Sequence, residues 1–336
     1  MSSPAVGVVV PTRGDRPSML REAVRGVLAQ GYPGLSVVVV VDGGDVAAVE
    51  RQLAESCPRD GESPSRDGES PPRDAESPSR DAESPPRDGE SPRRDGAVVV
   101  LANRFSPGLP GARNTGIATL DTELVAFCDD DDVWLPGKLV AQVAALREEP
   151  GGEFCGCAIE VEYGGRRVVR LAGASRVTQG DLTRSRMVMV HSSTFLFRRG
   201  VVWADESAPG GQNEDWDLAL RAAGRRPLVY VDRPLVRVRW GASAYVTRWA
   251  ERIAGLEWML ARHPALARDA RGAARVYGQL AFLHAALGHR REAGRWALRA
   301  FTTRRGEPRV PIAMAVALGL PARLVLHRLH IWGYGI

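Results

Sequence analysis

Apolar positions fall into short unbroken runs in the first part of the chain and into helical stripes in the last. Val6 to Pro11 ("VGVVVP") is Val-rich and bounded by turn residues, which predicts a strand buried on both faces. In the next segment Met19, Leu20, Ala23, Val24, Val27 and Leu28 recur at helical spacing, with Ser18 placed to cap the start. Leu35 to Gly44 repeats the strand pattern and ends on Asp42, and "DVAAVERQLAES" repeats the helix. A third strand is expected over Ala97 to Asn103, then a helix at "GARNTGIATL" and a strand at "ELVAFCDD". Such alternation predicts an α/β fold around a parallel sheet covered on both faces. Ligands of such sheets bind beyond the carboxyl ends of the strands, where both Asp42 and the run Asp129 to Asp132 fall.

After Pro150 the pattern is mixed. "EFCGCAIEVEY" and "RRVVRL" read as a hairpin around a Gly pair, "VMVHSSTFLFRRGVV" as one or two strands, "NEDWDLALRAAG" as a helix and "PLVYVDRPLVRVRW" as strands. From Trp249 the chain reads as helical and Arg-rich. "VYGQLAFLHAALGHRREAGRWALRAF" resembles one helix-turn-helix unit of a tetratricopeptide array, with Gly288 at the turn. One unit cannot build a solenoid, so a helical appendage packed on the main domain is expected. In the tail "RLVLHRLHIW", leucines interleave with Arg and His, a pattern suited equally to a membrane surface and to docking on the protein. Residues 59–93 repeat a seven-residue unit in tandem ("RDGESPS" and variants). Each unit carries Pro and no position is apolar, so residues 58–96 are expected to be a disordered insertion, either a tolerated surface loop or a docking arm.

Composition narrows the class little. The 336 residues are 44% hydrophobic and 25% charged, ordinary for a globular protein, with net charge +5. Lys138 is the single lysine among 45 basic residues. Without an aromatic-basic motif, +5 does not point to a nucleic-acid partner. Cys57, Cys128, Cys155 and Cys157 fit neither a disulfide framework nor a zinc site. With no secretory leader expected and no apolar run near ~20 residues, a cytoplasmic location is expected.

The chemistry gathers at "AFCDDDDVWLPGKL", where four aspartates follow an apolar strand. Adjacent carboxylates repel, and burial strengthens the repulsion, so a positive partner is expected. In an extended segment Asp129 and Asp131 share one face and Asp130 and Asp132 the other. An Asp-x-Asp pair beside a nucleotide cleft suits Mg²⁺ or Mn²⁺, which complete their shells with phosphate oxygens and water.

Taken in order, "VVVPTRGDRPSMLREAVRGVLAQGYP", "VVVVVDGG", "GLPGARNTGIATLDTELVAFCDDDDVWLPGKLVAQVAAL" and "NEDWDLALRAAG" resemble family 2 glycosyltransferases. The resemblance covers roughly Val6 to Trp240 outside the repeat. It implies a GT-A fold over residues 1–248, with a mixed nucleotide-binding sheet flanked by helices and a helical region at 249–336. It implies metal-assisted inverting transfer from a nucleotide-diphospho-sugar, most often a UDP-sugar, to a hydroxyl on a saccharide, lipid-linked or small-molecule acceptor. Pro11, Thr12 and Asp42 match positions that line the base and ribose, although "DGG" stands where the family usually has Asp-Gly-Ser. Arg113 matches a position near the nucleotide, or packs its helix. Asp129 and Asp131 match the outer members of the metal-binding Asp-x-Asp-Asp, Asp131 being the first choice as ligand. Asp215 matches the catalytic base, with Glu214 and Asp217 as rivals, while Trp216 either stacks on a sugar or belongs to the core. Arg239 and Trp240 resemble part of the Gln-x-x-Arg-Trp of processive synthases. Val236 replaces the Gln and no membrane helices follow, so single addition is expected, with Arg239 meeting the diphosphate or lying on a surface strand. His191 falls near the expected cleft, where a lone His is commonly structural.

Three other readings compete. A nucleotidyltransferase wants a Gly-rich phosphate loop after the first strand, which "PTRGDRP" does not supply. A glycoside hydrolase needs carboxylates but no nucleotide strand end. A non-catalytic scaffold using the repeat and appendage has no use for both Asp131 and Asp215.

Overall fold

A computed structural model describes residues 3–54, 98–241 and 248–332. The expected insertion at 58–96, and Cys57 with it, lies outside the described residues.

The N-terminal half runs β1 (Val6–Thr12), α1 (Pro17–Leu28), β2 (Leu35–Val41), α2 (Val46–Ala54), β3 (Val98–Ala102), α3 (Leu109–Thr119) and β4 (Leu124–Phe127). β1 pairs in parallel with both β2 and β4, and β2 with β3. Every residue of β1 is buried, which is why its valines run unbroken instead of alternating. α1 starts one residue before its expected cap. Pro17 takes the first helical turn, where a missing N–H costs nothing, and Arg16 stands at the cap without a capping side-chain bond. That places Arg16 at the carboxyl end of the sheet.

The second half is mixed. It runs β5 (Val133–Trp134), α4 (Lys138–Glu148), β6 (Phe154–Tyr163), β7 (Arg166–Arg170), β8 (Arg176–Val177), α5 (Gln179–Arg184), β9 (Leu196–Arg198), α6 (Glu214–Arg225) and β10 (Leu228–Arg239). The sheet order is β3-β2-β1-β4-β9-β6-β10-β5, with β7 on β6 and β8 on β10. β9 is antiparallel to β4 and β6, so it joins the parallel half to the rest. The sheet is therefore mixed, as the family resemblance implied, and not the all-parallel sheet that the strand-helix alternation suggested. β6 and β7 form the expected hairpin, with Gly164 and Gly165 at φ 55° and 75°. The expected strands after Arg226 are one strand, β10, whose register shifts around Pro234 because Pro cannot donate to a ladder. Of "VMVHSSTFLFRRGVV", only Leu196–Arg198 is strand; Ser192–Thr194 is a 3₁₀ turn.

The remainder is helical: α7 (Trp249–Arg262), α8 (Pro264–Arg268), α9 (Ala270–Ala286), α10 (Arg290–Thr303), α11 (Arg309–Ala317) and α12 (Ala322–Ile331). Gly288 makes the turn between α9 and α10 at φ 79°. These helices share one core with the sheet, since Val9, Phe127, Trp216, Leu256, Phe282 and Leu326 belong to a single buried cluster. α12 docks on the protein through Leu326 and His330, the latter against Tyr163 and Trp240. No helix among the described residues is long and apolar enough to cross a membrane.

Candidate active site

A cleft of about 1190 Å³ opens beyond the carboxyl ends of β1, β2 and β4. Pro11, Thr12, Asp42, Arg113, Asp129, Glu214, Asp215 and Arg239 all line it, as do Asp131 and His191. The structure thus brings together nearly all the positions singled out in the sequence.

Asp42 is fixed from the neighbouring loop. Asn103 Nδ2 donates to its Oδ1 at 2.8 Å and the Gly108 N–H to its Oδ2 at 2.9 Å. It does not cap α2; Asp45 does, accepting from the Ala48 N–H. The Thr12 hydroxyl donates to Asp130 at 2.6 Å, which ties the end of β1 to the acidic run.

The acidic run is not extended. β4 ends at Phe127, and the Asp132 N–H bonds the Asp129 carbonyl, so residues 129–132 form a turn. The expected alternation of faces is replaced by four separate environments. Asp129 accepts from Arg113 at 2.6 Å and from the Ser192 hydroxyl at 2.8 Å. Asp130 accepts from Arg16 at 2.5 Å, and Arg16 also bonds Asp131. Asp132 accepts from the Ser193 hydroxyl at 2.6 Å and the Arg239 N–H at 3.3 Å. His191 Nδ1 lies 3.5 Å from Asp132. Ser193 itself is held from below: the Asp129 N–H donates to its hydroxyl, and Trp134 Nε1 donates to its carbonyl. Lys138, fully buried, lies 3.8 Å over the Trp134 ring with no hydrogen-bond partner among the described residues, and burial brings its pKa down to about 8.

Charge in the turn is unbalanced. Burial pushes Asp130 up to about 6, against the pull of Thr12 and Arg16. Burial raises Asp131 despite Arg16, and lifts Asp132 well above the usual carboxylate range with help from Asp131 and Asp129. At Asp129 burial also pushes upward, but Arg113, His191 and Ser192 outweigh it and its pKa falls. Asp129, Asp132 and His191 each offer a ligand atom within 4.8 Å of one another. Two carboxylates and an imidazole, beside carboxylates destabilised as anions, fit a divalent cation, and the donor set admits Mn²⁺ as well as Mg²⁺. Asp131 stands outside that group and faces Arg16.

Arg113 rises from α3 and is completely buried between Asp129 and Glu214, holding both in place; burial lowers its pKa, but the two carboxylates outweigh it and raise it. Its guanidinium joins the acidic turn to the start of α6. Burial lifts Glu214 to about 7 even beside Arg113. Asp215 accepts from Arg186 at 2.6 Å. Burial pushes Asp215 up, but Arg186, His191 and Arg113 outweigh it, so Asp215 remains ionised. Asp217 points away into the core, where Arg221, Arg262 and His263 hold it at 2.8, 2.5 and 2.8 Å. Trp216 is 1% exposed, and its Nε1 donates to the Leu182 carbonyl at 3.1 Å. It is core, so the expectation that it stacks on a sugar is corrected: on α6 its side chain takes the face turned from the cleft. Arg239 pairs with Glu22 at 2.6 Å at the cleft rim.

Sequence reading missed Arg16 and Arg186, which answer the charge on the acidic turn and on Asp215. Arg16 had a signal, because it precedes a Pro that opens a helix after β1. Arg186 had none, since it lies in a loop and meets Asp215 only through folding.

These features define a GT-A fold. Residues 79–205 match the model of glycosyl transferase family 2. A stretch of 49 residues is 35% identical to "UDP-Glc:alpha-D-GlcNAc-diphosphoundecaprenol beta-1,3-glucosyltransferase WfgD" of Escherichia coli, 15% of this chain and 19% of that protein. The structure is similar to S. aureus TarS 1–349 in complex with UDP-GlcNAc, with a TM-score of 0.57 and 12% identity over 98% of this chain and 92% of that one. TarS itself gives 0.54 at 12% identity over 94% of this chain, which covers 53% of TarS. The mannosyltransferase PcManGT from Pyrobaculum calidifontis, in complex with GDP-Man and Mn²⁺, gives 0.52 at 16% identity over 98% and 85%. At these identities the structural likeness shows the fold.

Proposed function

We propose that this chain transfers a sugar from a nucleotide-diphospho-sugar to an acceptor hydroxyl, with inversion and with a divalent cation at the Asp129–Asp132 turn. The observation that carries the reading is that one cleft holds both a cation-fitting group (Asp129, Asp132, His191) and an ionised carboxylate, Asp215. The nucleotide-sugar complexes of the structural relatives support the donor class. UDP remains the first donor to test.

Asp42 and Thr12, at the strand ends, take the nucleoside. Asp129, Asp132 and His191 hold the cation. Asp131, now paired with Arg16, would be a further ligand if that pair opened. When bound, the cation stabilises negative charge on the departing diphosphate. Arg113 acts as a positioning residue, because it bonds Asp129 and Glu214 at once. Asp215 accepts the proton of the acceptor hydroxyl as that oxygen bonds the anomeric carbon and the bond from that carbon to the diphosphate oxygen breaks. Arg186 keeps Asp215 ionised and oriented for this step. A placed carboxylate base contributes ~10²–10⁴-fold. One displacement at the anomeric carbon inverts it.

The test is thermal unfolding with a panel of nucleotide-sugars, with Mn²⁺ and with EDTA. A cognate donor at 100 Kd adds ~2.7 kcal/mol of stability. Stabilisation by one nucleotide-sugar that EDTA removes is expected; no stabilisation by any donor overturns the reading.

A further inference from the structure

α11 and α12 bury one side and leave the other uncovered. On α11, Ala313, Val316 and Ala317 face the core, while Met314 and Leu318, a turn apart, stand 37% and 83% exposed. The turn into α12 adds Leu320 at 44%, and α12 adds Leu324 at 47%, followed by Trp332 at 66%. Scattered exposed leucines are ordinary, but these occupy successive turns of two consecutive helices. Arg323 and Arg328 stand exposed among them, and neither is in an ion pair among the described residues. No Asp or Glu occurs from Pro308 to Trp332. The face is therefore apolar with cations only, the pattern of a surface that meets anionic headgroups and the acyl boundary beneath them. A second copy of the same face would bring like charges together. At nine and ten residues the two helices are too short to span a bilayer, so contact is at its surface.

The inner side of α12 has a different task. Leu326 and His330 line the cleft from there. One helix thus separates the cleft from this outer face.

We propose that the exposed face of α11 and α12 docks on an anionic lipid bilayer and brings the acceptor side of the cleft to the membrane surface. A bilayer-embedded acceptor then reaches the cleft without leaving its membrane. The docking claim stands independently of the transfer reading, because it is measured without donor or acceptor.

The test is flotation of the full chain with phosphatidylglycerol–phosphatidylcholine vesicles and with phosphatidylcholine vesicles. The full chain is expected to float with the anionic vesicles, less as salt rises, and not with the neutral ones. Arg323→Glu with Arg328→Glu should weaken binding at least about tenfold. Leu318→Glu with Leu324→Glu should do the same through lost apolar contact. Leu318→Ser with Leu324→Ser serves if the acidic pair unfolds. All should keep the wild-type melting temperature and its shift by a nucleotide-sugar. Failure of the full chain to float with anionic vesicles overturns the proposal, as does undiminished flotation of the leucine variants. A dimer in sedimentation that the leucine variants dissolve, with no vesicle binding, would assign the face to a second copy instead.

Discussion

The cleft wall built by β1, β2 and β4 carries its side chains at the ends of parallel, valine-rich strands, whereas the opposite wall draws Glu214 and Asp215 from α6, Arg239 from β10 and Leu326 and His330 from α12. On the first wall the backbone of a buried sheet sets the position of Thr12, Asp42 and Asp129. On the second, loops and ion pairs do so, and Arg186 and Arg113 reach Asp215 and Glu214 from other elements. In the proposed function the first wall takes the ligand of fixed chemistry, the nucleotide diphosphate. The second can be rebuilt by changing helices and loops, as suits an acceptor that differs from one enzyme to another.

The sharpest way to separate the walls is Asp215→Asn, which keeps shape and removes basicity. Transfer should fall by ~10²–10⁴-fold while donor affinity stays at the wild-type value. Measured beside it, Glu214→Gln should retain more activity; a dead Glu214→Gln with an active Asp215→Asn would move the base by one residue. Two positions along α6, Asp217→Asn should act on folding instead. It leaves Arg221 and His263 without their carboxylate and Arg262 with Asp205 alone, at a cost of about 3 kcal/mol in denaturant unfolding, while the transfer rate of the folded fraction is unchanged. Burial opposes ionisation of Asp217, but His263, Arg221 and Arg262 outweigh it and lower its pKa. Its stabilisation is therefore complete above the unfolded aspartate value of ~3.9 and is lost as pH falls through the lower folded value. Asp217→Asn should lack that acid-side loss.

On the first wall, Asp132→Ala and Asp131→Ala should each weaken Mn²⁺ binding at least about tenfold by titration calorimetry. Wild-type affinity in Asp131→Ala would confine the ligands to Asp129, Asp132 and His191, with Arg16 keeping Asp131. The smallest effect is expected from deleting residues 59–93. Their neighbours α2 and β3 close the far edge of the sheet, so the melting temperature and transfer rate should change little. A large loss of either would give the repeat a structural or catalytic part.

The proposed donor wall was legible because each of its strands is a run of apolar residues that only a doubly covered sheet explains, and because Asp42 and Asp129 sit where such strands end. The candidate metal group was less so. Reading Asp129 to Asp132 as extended paired Asp129 with Asp131, but the chain turns there, and His191 joins from a segment that pattern alone assigned to a strand. Trp216 shows the same limit. Glu214 and Asp215 before it in "EDWD" face the cleft, yet helical geometry sends Trp216 to the core. Arg186 belongs to a loop and Ser193 to the 3₁₀ turn, and nothing short of the fold brings them to Asp215 and Asp132.

The central claim is a single displacement driven by Asp215, and the anomeric configuration of the product, read by NMR from the coupling constant of the new glycosidic bond, tests it most directly. The account predicts a configuration opposite to that of the donor sugar. A retained configuration would contradict it, because retention requires a second displacement or a front-face attack that one carboxylate base does not provide.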